Sequence, residues 1–227
     1  MSAELAALEA EITACRACPR LVEWRERVAR EKRASFRDWD YWGRPIPGFG
    51  DPAARVLILG LAPAAHGANR TGRIFTGDRS GDFLFAALHR NGFANQPTSE
   101  HRDDGLELHD CWITAAVRCA PPANKPLPEE RDRCSAWLER ELALVAWPRV
   151  VVCLGAFAWE SGVRQLAPGL RPRPRFGHGE EARLGDLILL GCFHPSQQNT
   201  FTGKLTEPMM DAVFGRARAL ANVRDVT

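Results

Sequence analysis

Apolar residues recur at helical spacing in several stretches of the chain. Leu5, Leu8 and Ile12 fall on one side of a helix predicted over Ala3–Ala14. The same spacing predicts helices over residues 19–33, 81–91, 128–145, 156–165 and 207–221. Pro19 stands in the first turn of the second helix, where its missing N–H removes no hydrogen bond.

Four nearly continuous apolar runs predict buried strands. They are Arg55–Gly60, Cys111–Val117, Val150–Gly155 and Leu187–Gly191. Strands without polar alternation are typical of a parallel sheet that helices cover on both faces. Because helices alternate with the strands, the pattern predicts an α/β fold. We expect one domain over residues 1–227, a three-layer α/β/α sandwich with a central, mostly parallel four-stranded sheet.

Three of the loops that follow these strands carry unusual residues. In open parallel sheets, ligands bind beyond the carboxyl ends of the strands. The loops that begin at Leu61, Arg118 and Phe193 leave that edge, so we expect them to converge there. The first is rich in glycine but matches neither the P-loop nor the dinucleotide-binding pattern. The last begins with an imidazole at His194 and is rich in amides.

Composition and charge narrow the class of protein only slightly. The 227 residues include 30 basic and 28 acidic side chains, which gives a net charge of +2, and 45% are hydrophobic. This is ordinary globular usage. The charge neither supports nor excludes nucleic-acid binding, because a local basic patch suffices. The start of the chain does not read as a signal peptide, and no apolar stretch is of membrane length. We therefore expect a cytoplasmic protein with no membrane contact.

Seven cysteines in a reducing compartment favour metal ligands, redox chemistry or buried small residues over disulfides. Cys15 and Cys18 form a C-x-x-C turn, and Cys119 and Cys134 follow far along the chain. Four thiolates from two segments can enclose a zinc ion or a 4Fe–4S cluster. Four cysteines without a metal remain an alternative. The other three lie inside apolar strands, which favours burial: Cys111, Cys153 and Cys192.

The sequence resembles the uracil-DNA glycosylase superfamily, and it looks most like the B-type, or family-five, bacterial and archaeal enzymes. The resemblance covers nearly the whole chain. It runs from the C-x-x-C turn through GLAPAAHGANRTGRIFTGD and ITAAVRCAPPANKP to HPSQQNT. It implies the α/β/α fold of that superfamily and hydrolytic removal of deaminated or damaged bases from DNA. It also implies a structural 4Fe–4S cluster on Cys15, Cys18, Cys119 and Cys134.

The chain departs from the superfamily at positions that face the base. Many members carry Asp, Asn or Glu where this chain has Leu61 or Ala62, and related A-type enzymes carry Asn at the position of Ala115. We expect Leu61 and Ala62 to bind the base through their backbone amides. A pocket without a fixed amide side chain should be wider and less selective. The resemblance thus implies action on uracil and on other deaminated bases, such as hypoxanthine and xanthine.

The loops supply candidates for each step of base removal. A base inside a duplex must first be flipped out, at a cost of about a few kcal/mol. Phe75 is the candidate stacking face for that base, with a core phenylalanine as the alternative. Asp78 is the candidate that positions or activates water, with a helix N-cap as the alternative, and Asp82 is a weaker rival. His194 is expected to donate to the base and stabilise the leaving anion, with a structural histidine as the alternative.

Polar residues of the first and last loops are candidates for contacts with the DNA strand. They are Arg70, Arg73, Ser196, Gln197, Asn199 and Lys204. Phe201 or Leu205 is expected to fill the gap that the flipped nucleotide leaves. Phosphate contacts of this kind make affinity fall steeply with salt. We expect the chain to act on DNA as a monomer.

Three functional hypotheses stay open on the sequence alone. The first is a DNA glycosylase. The second is a non-catalytic module that binds DNA lesions or single strands and holds a structural iron–sulfur cluster. The third is a redox or iron-sensing switch. Replacement of Asp78 separates the first two, because only a glycosylase has base release to lose.

Overall fold

The computed structural model describes residues 2–146 and 148–222. The strands are β1 Phe49–Gly50, β2 Val56–Gly60, β3 Cys111–Ala115, β4 Val150–Leu154, β5 Glu181–Leu184 and β6 Leu187–Cys192. They form one sheet in the order β1-β3-β2-β4-β6-β5. The four inner strands are parallel to each other, and each edge strand pairs antiparallel with its neighbour.

The helices are α1 Ala3–Ala14, α2 Pro19–Glu31, α3 Ala68–Thr71, α4 Arg79–Arg90, α5 Pro128–Leu144, α6 Ala156–Leu166, α7 Gln197–Phe201 and α8 Glu207–Ala221. The six longer helices confirm the predictions to within two residues at each end. The short helices α3 and α7 lie in segments that the sequence predicted as loops. Across the described ranges, we find no helix with both the length and the apolar character that crossing a membrane requires.

The prediction of a four-stranded sheet is correct for the parallel centre and wrong for its edges. Strand β1 has two residues, and β5 is only partly buried, so neither carries the long apolar run that marks a central strand. Both edge strands cover the parallel centre, in pairs such as Phe49 with Ile113 and Ala182 with Leu189. Their pairing shields backbone groups that a parallel sheet of four strands would leave open.

The two faces of the sheet support two separate layers of core. On one face, Ile58 belongs to the same buried cluster as Phe85 of α4 and Phe214 of α8. On the other, Leu59 clusters with Trp159 of α6, together with residues of α1 and α5. Successive residues of a strand point to opposite faces, so strands with helices on both sides are apolar throughout. The predicted three-layer α/β/α arrangement is confirmed.

The carboxyl ends of the parallel strands meet at one edge of the sheet. Gly60 ends β2 beside Ala115 at the end of β3, and Leu154 ends β4 beside Cys192 of β6. Strands β3 and β4 lie on opposite sides of β2, so the strand order reverses at the centre of the sheet. Such a reversal opens a crevice between the loops above it.

A buried ion pair anchors the loop that follows β3. Arg118 and Glu141 of α5 form a bidentate pair, with nitrogen–oxygen distances of 2.7 and 3.1 Å and both side chains 2% exposed. One oxygen of Glu141 also accepts from the Gly48 N–H, and the other accepts from the Thr114 hydroxyl. The carboxylate is therefore fully hydrogen-bonded, as a buried charge must be if it is to be tolerated.

Replacement of Glu141 tests this anchor. Glu141→Leu is expected to lower the free energy of unfolding by about 3–5 kcal/mol, because Arg118 would keep an unpaired buried charge. The double variant Arg118→Met/Glu141→Leu should recover much of that loss. Urea denaturation gives the measurement. The control is Glu11→Gln, which removes an exposed partner of Arg140 and should leave the midpoint unchanged. A double variant no more stable than Glu141→Leu would contradict this account.

Candidate active site

A cleft of about 650 Å³ opens at the carboxyl edge of the sheet. Small-molecule sites in proteins have volumes of this order. The loops after β2 and β6 and the turn after β3 all contribute to its wall. The structure brings together every residue that was predicted to bind the base or act in catalysis: Leu61, Ala62, Phe75, Asp78 and His194. Their chemical roles stay predictions.

Phe75 lies where the loop after β2 turns back over the sheet. Its φ of 52° is a left-handed conformation that is uncommon for an aromatic residue. Gly60 permits the approach of the ring, since a Cβ there would lie 2.9 Å from Phe75 Cε2. The ring centroid is 6.0 Å from that of His194. Phe75 belongs to the buried core and also lines the cleft. It is therefore a core phenylalanine that lies where a base could stack on it.

Asp78 begins helix α4 and lines the cleft. Its Oδ1 accepts a hydrogen bond from the Gly81 N–H at 3.0 Å, so it is the N-cap of the helix. Its Oδ2 lies against Gly67, where a Cβ would be only 1.9 Å away. Burial raises the pKa of Asp78, and the N–H groups of Gly81 and Ser80 offset this only in part. The carboxylate thus caps a helix and still lines the cleft.

His194 follows β6 and contributes an imidazole that is neutral at physiological pH. Burial lowers its pKa to about 4, because a charged ring would lose its hydration there. A neutral ring carries one N–H donor and one acceptor nitrogen. The Asn199 side chain donates to the His194 carbonyl at 2.8 Å, which fixes the backbone of this loop. Asn199 therefore stabilises the loop that carries His194. Its contact with DNA stays a prediction.

Two predictions about the DNA-contacting loops are wrong. Arg73, predicted to contact phosphate, is buried and pairs with Asp104 at 2.7 Å, so its charge is already neutralised. Leu205, one of two candidates to fill the gap in DNA, is buried in the core with Met210. The other candidate, Phe201, is 72% exposed.

Arg70 is buried, and no carboxylate of residues 2–146 and 148–222 lies at ion-pair distance from it. Its Nε donates to the His66 carbonyl at 2.9 Å and its Nη2 to the Gly77 carbonyl at 2.7 Å. Its guanidinium carbon lies 3.9 Å from the ring centroid of Phe36 and 4.0 Å from that of Trp39. Its Nη1 has no hydrogen-bond partner among the described residues. Contact with a phosphate stays a prediction for Arg70, as it does for the surface residues Ser196 and Lys204.

The turn after β3 adds Asn124, which the sequence analysis missed. Asn124 lines the cleft, and its φ is 55°. Ala123 before it has a φ of 53°. Backbone strain of this kind is concentrated at functional sites. The signal in the sequence was an amide residue between Pro122 and Pro126, in one of the three loops expected to converge.

The four cysteines predicted to bind a metal lie near one another, and Ala62 of the cleft wall packs against their cluster. Cys18, Cys119 and Cys134 belong to one small buried cluster with Leu21. Burial raises the pKa of Cys119 to about 12 and that of Cys134 to about 11, and the charge of Cys15 contributes to both shifts. Such thiols need a metal or another positive charge beside them before they ionise.

Arg25 places a buried positive charge beside this group. Its Nη1 donates to Cys119 Sγ at 2.8 Å, and its Nη2 donates to the Cys15 carbonyl at 3.0 Å. Four thiols from two segments beside a buried cation are a donor set that fits a 4Fe–4S cluster. In the part of the chain that the structure describes, no three His, Cys, Asp or Glu side chains are close enough together to hold one metal ion. The ligand set stays a prediction.

The remaining cysteines are fully buried in the sheet, as predicted. Cys111, Cys153 and Cys192 lie in β3, β4 and β6, and none is measurably exposed. The apolar runs that contain them account for this burial.

Comparison with known proteins shows the family to which the chain belongs. A family model described as the uracil DNA glycosylase superfamily matches residues 47–218, so the chain belongs to that superfamily. The type-5 uracil-DNA glycosylase of Mycobacterium bovis is 58% identical over 218 residues, which are 95% of this chain and 81% of that protein. The type-5 enzyme of Thermus thermophilus is 52% identical over 93% of this chain and 96% of its own length.

A type-4 relative matches less of the chain. The type-4 uracil-DNA glycosylase of Archaeoglobus fulgidus is 33% identical over 50% of this chain and 49% of its own length. The resemblance to the family-five branch is therefore confirmed by both identity and coverage.

The neutral state of His194 can be tested by NMR titration. Signals assigned with a His194→Gln variant are expected to keep their neutral-form positions from about pH 8 to about pH 5, because burial opposes protonation. The unfolded chain binds this proton more readily, so stability should rise with pH between about 4 and about 6.5. His194→Gln should remove this contribution. A ring that titrates near pH 6.5 would contradict the assignment.

Proposed function

We propose that this chain is a monofunctional DNA glycosylase, which flips uracil and other deaminated bases out of DNA and hydrolyses their N-glycosidic bonds. The observation that carries the proposal is one cleft lined by an aromatic ring, a carboxylate and a neutral imidazole, from Phe75, Asp78 and His194. The names of the type-5 relatives, at 52% and 58% identity, support the same activity.

In this proposal, Phe75 receives the everted base. Stacking on an aromatic ring contributes roughly 1–3 kcal/mol per base, which is of the order of the cost of flipping. A mispaired base costs less to flip than a paired one, so deaminated bases are favoured before any contact reads them. The close packing of Phe75 against Gly60 suits a stacking face.

Bond cleavage places positive charge on the sugar and negative charge on the base. Asp78 orients a water molecule toward C1′, accepts its proton and faces the developing cation. A raised carboxyl pKa makes Asp78 a better proton acceptor than an exposed aspartate. The oxygen of water forms a bond to C1′, and the electron pair of the C1′–N bond leaves with the base. The products are an abasic sugar and the base anion. The anion takes up a proton from solvent to give the free base, and Asp78 returns its proton to solvent.

The departing base gains electron density that neutral donors can stabilise. His194 donates one N–H to a base oxygen, and the backbone N–H groups of Leu61 and Ala62 act beside it. A neutral imidazole performs this role without a prior protonation step. Because Leu61, Ala62 and Ala115 present no polar side chain, selectivity depends on backbone groups and on Asn124. We therefore include hypoxanthine and xanthine among the substrates.

The proposal also assigns a cofactor and DNA contacts. Cys15, Cys18, Cys119 and Cys134 would hold a structural 4Fe–4S cluster, which when bound joins the N-terminal segment to the segment of residues 119–134. Among the surface groups beside the cleft, Ser196 and Lys204 would contact phosphate, and the exposed Phe201 would fill the gap in the duplex. The protein would act as a monomer in the cytoplasm, where its free thiols stay reduced.

Base release from defined duplexes tests the activity. Duplexes that contain uracil, hypoxanthine or xanthine opposite each normal base are incubated with the purified protein. Free base and alkali-labile abasic sites are then quantified. Release of uracil supports the proposal, and release of the two purines supports the wider range. Absence of free base from all of them would overturn the proposal.

Replacement of Asp78 separates a glycosylase from a binding module. Asp78→Asn is expected to lower the single-turnover rate of uracil release by about 10²–10⁴-fold, the usual contribution of a positioned acid or base. DNA affinity should change little, because the amide still caps α4. Asp82→Asn, one turn further along α4, is the matched control and should keep most of the activity. Equal losses from both variants would contradict the role of Asp78.

The rate should also depend on pH through Asp78. Its raised pKa means that the active carboxylate form is lost as pH falls, and it is lost at a higher pH than for an ordinary aspartate. His194 stays neutral over that range, so one acidic limb is expected in the wild-type profile. A profile that Asp78→Asn leaves unchanged in shape would contradict this assignment.

Removal of one cysteine tests the cluster. Purified protein is expected to absorb near about 400 nm, and Cys119→Ser should lose this band together with bound iron. Cys153→Ala, which changes a buried cysteine of β4, is the control and should keep both. A colourless wild-type protein that contains zinc would contradict the cluster assignment.

A further inference from the structure

A second cleft lies directly beside the candidate active site. Its volume is about 840 Å³. Ala64, Asp78, Arg79, Asn124 and Gln197 line both clefts, so the two are continuous. The base-removal chemistry proposed above uses only the smaller one. A polymeric substrate with one unit in the smaller cleft would place its neighbouring unit in the larger.

The far wall of the larger cleft is aromatic. Phe36 and Trp39 come from the segment after α2, and their ring centroids are 6.4 Å apart at an angle of 79°. Trp39 is 36% exposed, which makes it one of the few large exposed apolar residues in the described structure. Exposed rings in a groove beside cationic groups are the stacking faces of single-strand-binding proteins.

Arg70 gives this wall an unsatisfied donor. It is 3% exposed and lies against both rings, yet its Nη1 has no hydrogen-bond partner among the described residues. Within the same residues, no carboxylate lies at ion-pair distance from it. The charge of Asp78 acts on Arg70 only from beyond that distance. A phosphate oxygen would therefore satisfy a buried donor that no protein anion contacts. Arg33 adds a second cation to this end of the cleft.

Carboxylates also line the larger cleft, which limits where a phosphate can bind. They are Asp78, Asp82 and Glu100, and the charge of Arg79 acts on Asp82. The aromatic rings contact Arg70 rather than these groups. A strand would therefore place its phosphate at the Arg70 end.

We propose that the larger cleft binds the nucleotide next to the flipped one in the same strand. Its base stacks on the exposed ring of Trp39, which Phe36 supports edge-on, and its phosphate accepts from Arg70 Nη1. This site rests on the proposed function, because the flipped nucleotide must occupy the smaller cleft. It gives the enzyme affinity for unpaired nucleotides that flank a damaged base.

The test compares substrates that contain or lack the flanking nucleotide. Single-stranded oligonucleotides carry uracil in the interior, at the 5′ end or at the 3′ end. Trp39→Ala should raise KM for interior uracil roughly ten-fold, the effect of losing one stacked base, and leave kcat unchanged. One of the two terminal substrates lacks the stacked nucleotide. On that substrate, wild type and Trp39→Ala should have equal KM values. Trp39→Tyr should restore KM, and Leu127→Ala, an exposed apolar control outside both clefts, should have no effect.

A binding experiment that needs no catalysis tests this site even if the protein releases no base. Undamaged single strands with one 2-aminopurine are titrated with protein, and stacking on Trp39 should quench its fluorescence in wild type but not in Trp39→Ala. Urea midpoints confirm that both variants are folded. Equal quenching by wild type and Trp39→Ala, or an equal KM rise on all three uracil substrates, would overturn the flanking site. Normal quenching without any base release would instead overturn the glycosylase and leave the strand-binding cleft in place.

Discussion

The contact between Gly67 and the Asp78 carboxylate sets the geometry of the loop that carries Phe75 and Asp78. A side chain at residue 67 would overlap Asp78 Oδ2, so the loop can close on the acid only through glycine. Arg70 then donates to carbonyls at both ends of this closure, those of His66 and Gly77. Phe75 lies inside the closed loop, so the stacking ring and the acid are fixed relative to each other. One folded loop thus positions two of the three groups that the proposed chemistry uses.

The N-terminal helices support that loop rather than standing apart from it. The Asn69 side chain, in the middle of α3, donates to the Arg25 carbonyl at 3.2 Å. The Arg25 guanidinium contacts Cys119 and the backbone of Cys15. A short path of hydrogen bonds therefore joins the cysteine group to the loop that carries Phe75 and Asp78. This gives a cluster on those cysteines a structural reason to affect the site without any part in the chemistry.

The sequence predicts the parallel centre of the sheet because buried strands must be apolar on both faces. It also predicts that Phe75 and His194 approach each other, since loops at the carboxyl ends of parallel strands must share one edge. Arg73 was predicted wrongly because its partner, Asp104, lies in a different segment and nothing local in the sequence reveals the pair. Asn124 was missed because its left-handed backbone is a property of the folded turn. Patterns in a single sequence do not show which charged residues pair across the fold, nor where the folded backbone is strained.

The central claim is that an everted base lies between a ring, an acid and a neutral imidazole. The most direct measurement is a crystal structure of Asp78→Asn with DNA that contains 2′-fluoro-deoxyuridine, whose glycosidic bond resists cleavage. The account predicts a uracil ring stacked on Phe75, with a base oxygen within about 3.2 Å of a His194 ring nitrogen and C1′ facing residue 78. A uracil that stays in the duplex, or that occupies a cavity away from Phe75 and His194, would contradict it.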